Sequence, residues 1–302
     1  LHGWMGDKTE WDLAASAIIE ELSDEWNVVA IDLPAHGDSP LLFTTEKQAI
    51  QGMLGNKVEH TASMDDVAVS VLKSLQNDYK ISTLDAIAGY SLGGRVAMAM
   101  MNKSAASEYA PLVSANTKLL LFGSNPGSFH PEDVMFDAEA NILRRNADAK
   151  LASTISTIFK SQYLYSSVKN GSEGVWIDFL TTWYDLPLWA NVSKRNPLAF
   201  SDMVQRRASS LAIRAPDIAH LLSICSAGRN YDPVWKSVDP SQVTFIAGAL
   251  DEKYSFIGKE WRKRFGIKYH EIENSGHALL TEAPLEVAAL IAKTLSQNRP
   301  HI

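Results

Sequence analysis

Residues 84–98 read Leu-Asp-Ala-Ile-Ala-Gly-Tyr-Ser-Leu-Gly-Gly-Arg-Val-Ala-Met, and this stretch decides the fold. Residues 84–88 are a short apolar run typical of a buried strand, and the residues after Gly94 have the composition of a helix. Between them lies Gly-x-Ser-x-Gly, the pattern of a tight strand-to-helix turn that leaves the Ser91 hydroxyl exposed at its tip. An ordinary glycine-rich turn is the alternative, but the flanking strand and helix favour a nucleophilic serine.

The rest of the chain repeats this alternation of strands and helices. Apolar residues at helical spacing mark residues 11–22 and 64–75. Short strand-like runs lie at 26–32, 84–88, 118–122, 243–247 and 267–272. We therefore predict an α/β fold with a mostly parallel sheet and helices on both faces. Polar residues follow several of these strands, at the edge where open sheets bind ligands.

Residues 127 to about 230 lack strand-like runs and show helical spacing with interleaved tryptophans and arginines. An insertion between two core strands lies above the carboxyl edge of the sheet, so we interpret it as a helical cap over the pocket. A scaffold elaboration without a catalytic role is the alternative. The predicted organisation is a core in two parts, 1–126 and 231–302, with the cap at 127–230.

Two further segments, residues 42–60 and the start of the chain, also allow structural predictions. Residues 42–60 form a polar stretch without periodicity, which predicts a surface loop. The chain opens on Leu1-His2-Gly3 without a methionine, where an α/β domain normally has earlier strands. We therefore expect a fragment whose N-terminal strands lie upstream.

Composition excludes several classes of function. The 302 residues carry 28 Lys and Arg against 35 Asp and Glu, a formal net charge of -7, which disfavours nucleic acid and anionic membranes as partners. No apolar run approaches the roughly 18 residues that span a bilayer. A single cysteine, Cys225, allows no intrachain disulfide and no cysteine metal cluster.

A nucleophilic serine needs a base and a group that orients the base. His277 follows the last predicted strand, and Asp251 follows the strand at 243–247. The competing histidines either lie in glycine-containing loops or lack motif context: His2, His36, His60, His130, His220, His270 and His301. Asp251 alone would be interpreted as a turn-capping residue. The order Ser, Asp, His is that of α/β-hydrolases, so we predict Ser91, Asp251 and His277 as a catalytic triad.

Negative charge that develops on a substrate oxygen needs backbone N–H donors. The amide of Leu92 follows the predicted nucleophile directly. The loop His2-Gly3-Trp4 supplies a second donor, the amide of Trp4, because Gly3 lets the loop approach the substrate. A tight turn at His2-Gly3 is the alternative, and both interpretations are compatible.

Three arginines suggest the kind of substrate. Arg95 lies one helical turn after Ser91, and Arg144 and Arg207 lie in the predicted cap. A solvated helix face is the alternative for each cap arginine. Because a guanidinium binds a carboxylate through two parallel hydrogen bonds, several arginines around one serine would suit a substrate with several carboxylates.

Several motifs together resemble the MenH family, the 2-succinyl-6-hydroxy-2,4-cyclohexadiene-1-carboxylate synthases of menaquinone and phylloquinone biosynthesis. The resemblance covers nearly the whole chain, and its cap arginine and tryptophan motifs are more specific than Gly-x-Ser-x-Gly. The motifs are residues 1–6, 32–39 and 89–98, the Arg144-Arg145 pair with Asp148, Trp183-Tyr184 with Pro187-Leu188-Trp189, and Met203-Val204-Gln205-Arg206-Arg207.

The resemblance implies a lyase that works without metal or organic cofactor. Such an enzyme removes pyruvate from 2-succinyl-5-enolpyruvyl-6-hydroxy-3-cyclohexene-1-carboxylate by abstracting a ring proton. By position, Ser91 with His277 would be the base and Asp251 its orienter. The remaining implied roles are oxyanion donation by Trp4 and Leu92, carboxylate binding by Arg95, Arg144 and Arg207, with Arg206 as the alternative to Arg207, and a cavity lining of Tyr90 and Trp183.

The sequence departs from the family pattern at two positions. Ala35 replaces the glycine that the family usually has in this loop, and Ala278 stands where some bacterial members have asparagine.

The family implies a cytoplasmic protein in bacteria, or a plastid domain fused to other pathway domains in plants and algae. A serine hydrolase, either an esterase or a C–C bond hydrolase for a carboxylate-bearing small molecule, is the alternative function, and a catalytically silent binding domain is the third.

Overall fold

The computed structural model describes residues 1–22, 26–41, 63–104, 109–125, 138–165, 172–190, 192–229 and 238–296. Within them four strands form one parallel sheet in chain order. The strands are β1 (Leu84–Tyr90), β2 (Val113–Phe122), β3 (Val243–Gly248) and β4 (Lys268–Ile272). All four agree with predicted strand runs, and the predicted α/β fold class is confirmed. The predicted loop at 42–60 lies outside the described residues.

Helices connect and cover these strands. The core helices are α1 (Asp12–Leu22), α2 (Met64–Asn77), α3 (Leu92–Ser104), α8 (Glu252–Phe265), α9 (Leu279–Glu282) and α10 (Pro284–Ser296). Between β2 and β3 lie α4 (Ala138–Tyr165), α5 (Ser172–Tyr184), α6 (Val192–Arg195) and α7 (Pro197–Ile224), which we call the cap helices. None of the described helices is both long and apolar enough to cross a membrane.

The alternation of side chains along β2 explains why both faces of the sheet are covered. Leu119 and Leu121 point to a core shared with α2, α3 and α8, whereas Leu120 and Phe122 point to a core shared with α1 and α10. All four are fully buried. A strand buried on both faces reads as a continuous apolar run, which is why residues 118–122 were recognisable as a strand.

The prediction of a paired strand at 26–32 is wrong for the described residues. Residues 26–33 have no ladder partner, and an open groove of about 650 Å³ separates residues 26–31 from β1. A ladder needs a neighbouring backbone about 4.8 Å away. On the β1 side, Leu1 takes the neighbouring place, because Tyr90 N–H donates to Leu1 O at 3.0 Å. The apolar run therefore lies beside the sheet but is not hydrogen-bonded into it.

The cap helices have a core of their own. Trp176 and Leu180 on α5 and Ile155 on α4 are buried against α7. The helix α7 also enters the main core, since Leu221 and Ile224 near its end pack with the α2, α3 and α8 cluster. The described parts of residues 127–230 are thus helical, and one long helix, α7, contributes to both cores. The division of the chain into 1–126, 127–230 and 231–302 stays a prediction.

Candidate active site

Ser91 occupies a sharp turn between β1 and α3. Its φ of 50° lies in the left-handed region, which is rare for residues other than glycine. The turn is so tight that a Cβ on Gly89 would lie 2.5 Å from the carbonyl oxygen of Gly93. Ser124 Oγ donates a hydrogen bond to Ser91 O at 2.9 Å and holds the turn from the next loop. The geometry is that of the strained, exposed nucleophile position that Gly-x-Ser-x-Gly predicts.

The predicted base and its orienter lie directly beside this serine. His277 Nε2 is 3.3 Å from Ser91 Oγ, and His277 Nδ1 is 2.7 Å from Asp251 Oδ2. Both His277 and Asp251 are almost fully buried. The carboxylate accepts a hydrogen bond from Nδ1–H, which leaves Nε2 without a proton and able to take one from the serine. The three predicted triad residues thus contact one another in the order Ser91, His277, Asp251, and their catalytic role stays a prediction.

Asp251 has a second structural role. It is the N-cap of α8, where its Oδ1 accepts a hydrogen bond from Tyr254 N–H at 3.1 Å. The cap leaves Oδ2 available to His277, so the turn-capping interpretation and the predicted catalytic one are compatible, one for each carboxylate oxygen. The helix cap fixes the rotamer that presents Oδ2 to His277.

Aromatic rings enclose the imidazole of His277. Tyr254 stacks on it with ring centroids 4.9 Å apart, and Trp189 of the cap contacts it edge to face at 5.2 Å. Tyr90, a predicted lining residue, lies 5.5 Å away. Sequence reasoning did not assign Tyr254 to the site. It lies three residues after Asp251, in the first turn of α8, a position with no distinctive local pattern of its own.

The loop of residues 2–6 lies against the turn that bears Ser91. A Cβ on Gly3 would lie 2.8 Å from the Tyr90 ring and 3.6 Å from Ser91 Cβ. Gly6 N–H donates to Gly3 O at 3.1 Å, so residues 3–6 form a tight turn with Trp4 inside it. Leu92 is the first residue of α3, where backbone N–H groups have no acceptor within the helix. Both predicted oxyanion donors therefore belong to backbone segments next to Ser91.

Two buried histidines support this loop and do not join the triad. His2 Nε2 accepts a hydrogen bond from Leu33 N–H at 2.9 Å, and His36 Nε2 accepts one from Met5 N–H at 3.1 Å. Burial lowers the pKa of His36 to about 4 and, with His36 nearby, lowers the pKa of His2 well below its usual range. Both rings are neutral acceptors that brace the loop.

The predicted arginines have different partners. Arg95 lies on α3 and donates through Nη1 to the carbonyl of Cys225, the residue that ends α7. Arg144 on α4 makes a two-point contact with Asp148, with Nε to Oδ2 at 3.1 Å and Nη2 to Oδ1 at 2.6 Å. Arg144 is partly exposed, whereas Asp148 is buried and also accepts from Ser226 Oγ. Arg95 therefore joins α3 to the end of α7, whereas Arg144 binds a carboxylate of its own helix.

Arg207 is buried in an internal ion pair. Its Nε and Nη2 donate to Glu10 Oε1, and its Nη1 donates to the Tyr184 hydroxyl. The structure thus shows a carboxylate of the chain itself where we expected a substrate carboxylate, and substrate binding by Arg207 stays a prediction. Arg206, the alternative, is exposed and donates to Thr9 Oγ1.

Trp183, the other predicted lining residue, belongs to an aromatic cluster between the cap and the residue 2–6 loop. Its ring lies 5.7 Å from that of Trp4 and 6.3 Å from that of Trp189. Trp4 also donates through Nε1 to Ile218 O on α7. The cluster joins the predicted oxyanion loop to the cap beside His277.

Known proteins with similar sequences cover almost the whole chain. A 2-succinyl-6-hydroxy-2,4-cyclohexadiene-1-carboxylate synthase of Klebsiella pneumoniae is 26% identical over 302 residues, covering 98% of this chain and 92% of the relative. The synthase of Serratia proteamaculans is 28% identical over 279 residues, covering 92% and 84%. These relatives confirm the resemblance to the MenH family that the motifs indicated.

Solved structures agree on the fold. MenH from S. aureus superposes with a TM-score of 0.66 at 21% identity, covering 98% of this chain and 92% of that one. A thermophilic esterase from Thermogutta terrifontis, solved with malate bound, superposes with a TM-score of 0.59 at 18% identity, covering 98% and 88%. A family model described as the alpha/beta hydrolase family matches residues 1–290. With the strained serine between β1 and α3 and the order Ser, Asp, His, this match shows that the chain belongs to the alpha/beta hydrolase family.

Proposed function

We propose that this chain is a carbon–oxygen lyase that converts 2-succinyl-5-enolpyruvyl-6-hydroxy-3-cyclohexene-1-carboxylate to 2-succinyl-6-hydroxy-2,4-cyclohexadiene-1-carboxylate and pyruvate, a step of menaquinone biosynthesis. The observation that carries the proposal is the similarity, over more than nine tenths of the chain, to relatives that bear this synthase name. The contact of Ser91, His277 and Asp251 supports it, because the elimination begins with a proton abstraction.

In the proposed reaction His277 takes the Ser91 hydroxyl proton at Nε2, and the serine oxygen removes a proton from the substrate ring. The electron pair of the broken C–H bond forms a ring double bond, and the bond between the ring and the enolpyruvyl oxygen breaks. The leaving group takes up a proton and becomes pyruvate. Asp251 keeps the imidazole in the tautomer that can accept at Nε2.

The N–H groups of Trp4 and Leu92 would stabilise negative charge that develops on a substrate oxygen. Arg95 and Arg144 would bind substrate carboxylates. Among the described residues, each has at least one guanidinium nitrogen without an acceptor, and a guanidinium carries five N–H donors in all. Arg95 is placed one helical turn after Ser91, which suits a carboxylate close to the reacting ring. Tyr90 and Trp183 would line the cavity.

The test is release of pyruvate from the enolpyruvyl substrate, measured with a coupled lactate dehydrogenase assay. We expect turnover by the unchanged chain and none above background by Ser91→Ala. Arg95→Ala should lose activity while the protein stays folded, and Lys259→Ala, which removes a surface ion pair with Glu271, should remain fully active. Full activity of Arg95→Ala would contradict the role of this arginine in binding carboxylate.

A serine hydrolase is the second candidate, and the same triad contact favours it, because Ser91 is also placed to attack an acyl carbon. The two functions are distinguished by offering both substrates to one preparation. Hydrolysis of a simple ester much faster than consumption of the enolpyruvyl substrate would exclude the lyase. A plain esterase has no need of cationic groups around its acyl pocket, so it should also tolerate Arg95→Ala.

A further inference from the structure

We propose that Arg195 and Glu282 are positioning residues that hold the loop bearing His277 so that the imidazole stays within hydrogen-bond distance of Ser91. The inference rests on the part of the proposed function that makes Ser91 and His277 the reacting pair, and it does not depend on which substrate is used. Neither residue belongs to the predicted triad, oxyanion donors or carboxylate ligands.

The guanidinium of Arg195 connects three separate segments. Arg195 is the last residue of α6 in the cap. Its Nε donates to Ala190 O at 2.8 Å, and its Nη1 donates to Asn274 O, three residues before His277, also at 2.8 Å. Its Nη2 donates to Glu282 Oε1 at the end of α9. One side chain thus links the cap, the histidine loop and the helix that follows that loop.

Glu282 completes the contact with the histidine loop. Its second oxygen, Oε2, accepts a hydrogen bond at 2.9 Å from the N–H of Gly276, the residue directly before His277. The Glu282 side chain is 2% exposed, so it is a buried carboxylate whose charge Arg195 compensates. Both carboxylate oxygens therefore accept hydrogen bonds, one from the cap and one from the histidine loop.

The other side of the histidine loop rests on the sheet. Leu250 N–H, just after β3, donates to Ser275 O at 2.9 Å. Asn274 has a φ of 55°, a conformation that the surrounding contacts must maintain. Residues 274–276 are therefore held between the end of β3 on one side and the Arg195–Glu282 pair on the other.

The distance that this support controls is critical for proton transfer. His277 Nε2 and Ser91 Oγ are 3.3 Å apart, already at the long end of the hydrogen-bond range. A displacement of about 1 Å in such a geometry costs roughly 100-fold in rate. Removal of either supporting side chain should thus reduce the rate at which Ser91 reacts without removing any group that touches the substrate.

The experiment measures covalent labelling of Ser91 by a fluorophosphonate as well as pyruvate release. In labelling, Ser91 Oγ forms a bond to phosphorus, fluoride leaves and His277 takes the serine proton. The variants are Arg195→Ala, Arg195→Lys, Glu282→Gln and the double variant Arg195→Ala with Glu282→Gln. Arg214→Ala is the matched control, because Arg214 also joins the cap to the core, through Ser39 O, but lies away from the histidine loop.

We expect Arg195→Ala and Glu282→Gln to slow labelling and lower kcat by about 10- to 100-fold with KM changed less than about twofold. Glutamine matches glutamate in shape but has one side-chain oxygen for two donors, and lysine cannot reproduce the three-way fork, so Arg195→Lys should be intermediate. The double variant should be no slower than the slower single variant, because both residues act through one contact. Arg214→Ala should label at the unchanged rate.

Unchanged labelling in variants that keep the near-ultraviolet circular dichroism of the native chain would overturn the proposal, as would effects that multiply in the double variant. If Arg195→Ala does not fold, Arg195→Lys and Glu282→Gln decide the question alone. In a further outcome, the unchanged chain labels rapidly yet releases no pyruvate, while the Arg195 and Glu282 variants label slowly. That result would refute the lyase function and leave this inference intact.

Discussion

At the scale of single residues, Arg207 is the clearest case in which a side chain has a partner other than the expected one. Arg207 and Glu10 are each about 95% buried. Burial raises the pKa of Glu10, and the Arg207 guanidinium opposes this shift. Isolated charges are very unfavourable in such surroundings, so each of these two residues depends on the other. Arg207 therefore joins the cap to the segment before α1, whatever it does for substrate.

The buried His36 predicts how stability depends on pH. Its pKa is about 4 in the folded chain and about 6.5 when unfolded. Between these values the unfolded state binds a proton that the folded state does not, so the free energy of unfolding should fall as the pH is lowered from 6.5 to 4. The His36 contribution is about 3 kcal/mol, estimated at 1.36 kcal/mol for each pKa unit.

Urea unfolding at several pH values checks this expectation. In His36→Gln the side-chain oxygen can still accept from Met5 N–H but does not titrate. The variant should lose less stability than the unchanged chain over this pH interval. Parallel curves for the two proteins would show that His36 is not the group responsible.

At the scale of secondary-structure elements, the N-cap of α8 is also the hydrogen-bond partner of His277, so the stability of this helix and the proposed catalysis share Asp251. Asparagine caps helices about as well as aspartate. Asp251→Asn should therefore keep its unfolding midpoint while losing up to about 10⁴-fold in kcat, as expected when the base is left in the wrong tautomer.

Asp251→Ala should lose activity to a similar extent and also about 1 kcal/mol of stability, because the first turn of α8 is then uncapped. Urea unfolding and kcat measured on the same preparations give both quantities. Equal stability of the alanine and asparagine variants would contradict the capping role.

At the scale of the whole molecule, the cap and the sheet should unfold together, although chains of this length often unfold in steps. The helix α7 contributes to both apolar cores, and the Arg207–Glu10 and Arg195–Glu282 pairs join the cap to the rest. Calorimetry should show one transition whose measured enthalpy equals the van't Hoff enthalpy.

Glu10→Gln, which leaves Arg207 without its charged partner, should lower the midpoint by an amount equivalent to about 3–5 kcal/mol without splitting the transition. Two resolved transitions would show that the cap is an independent unit.

Much of the fold and of the candidate site follows from local sequence patterns. The strands β2 and β3 were predictable because their apolar runs are buried on both faces. The less buried β1 and β4 were predictable from short strand-like runs followed by turn or helix signals. Ser91, Asp251 and His277 were predictable because each follows a strand of the parallel sheet, and such positions meet at one edge. Tyr254 was missed because an aromatic residue in a first helical turn has no distinctive local pattern.

The sequence by itself determined the strand-turn-helix around Ser91 and the order of the residues that meet there, because short-range spacing controls which residues end each strand. Only the tertiary structure decided that Glu10 pairs with Arg207, that Arg195 contacts the histidine loop and that residues 26–31 remain outside the ladder. The physical reason is that ion pairs and strand pairing depend on distances between segments far apart in the chain. Glu10 and Arg207 are 197 positions apart, and no local periodicity records which of several arginines a buried carboxylate will bind.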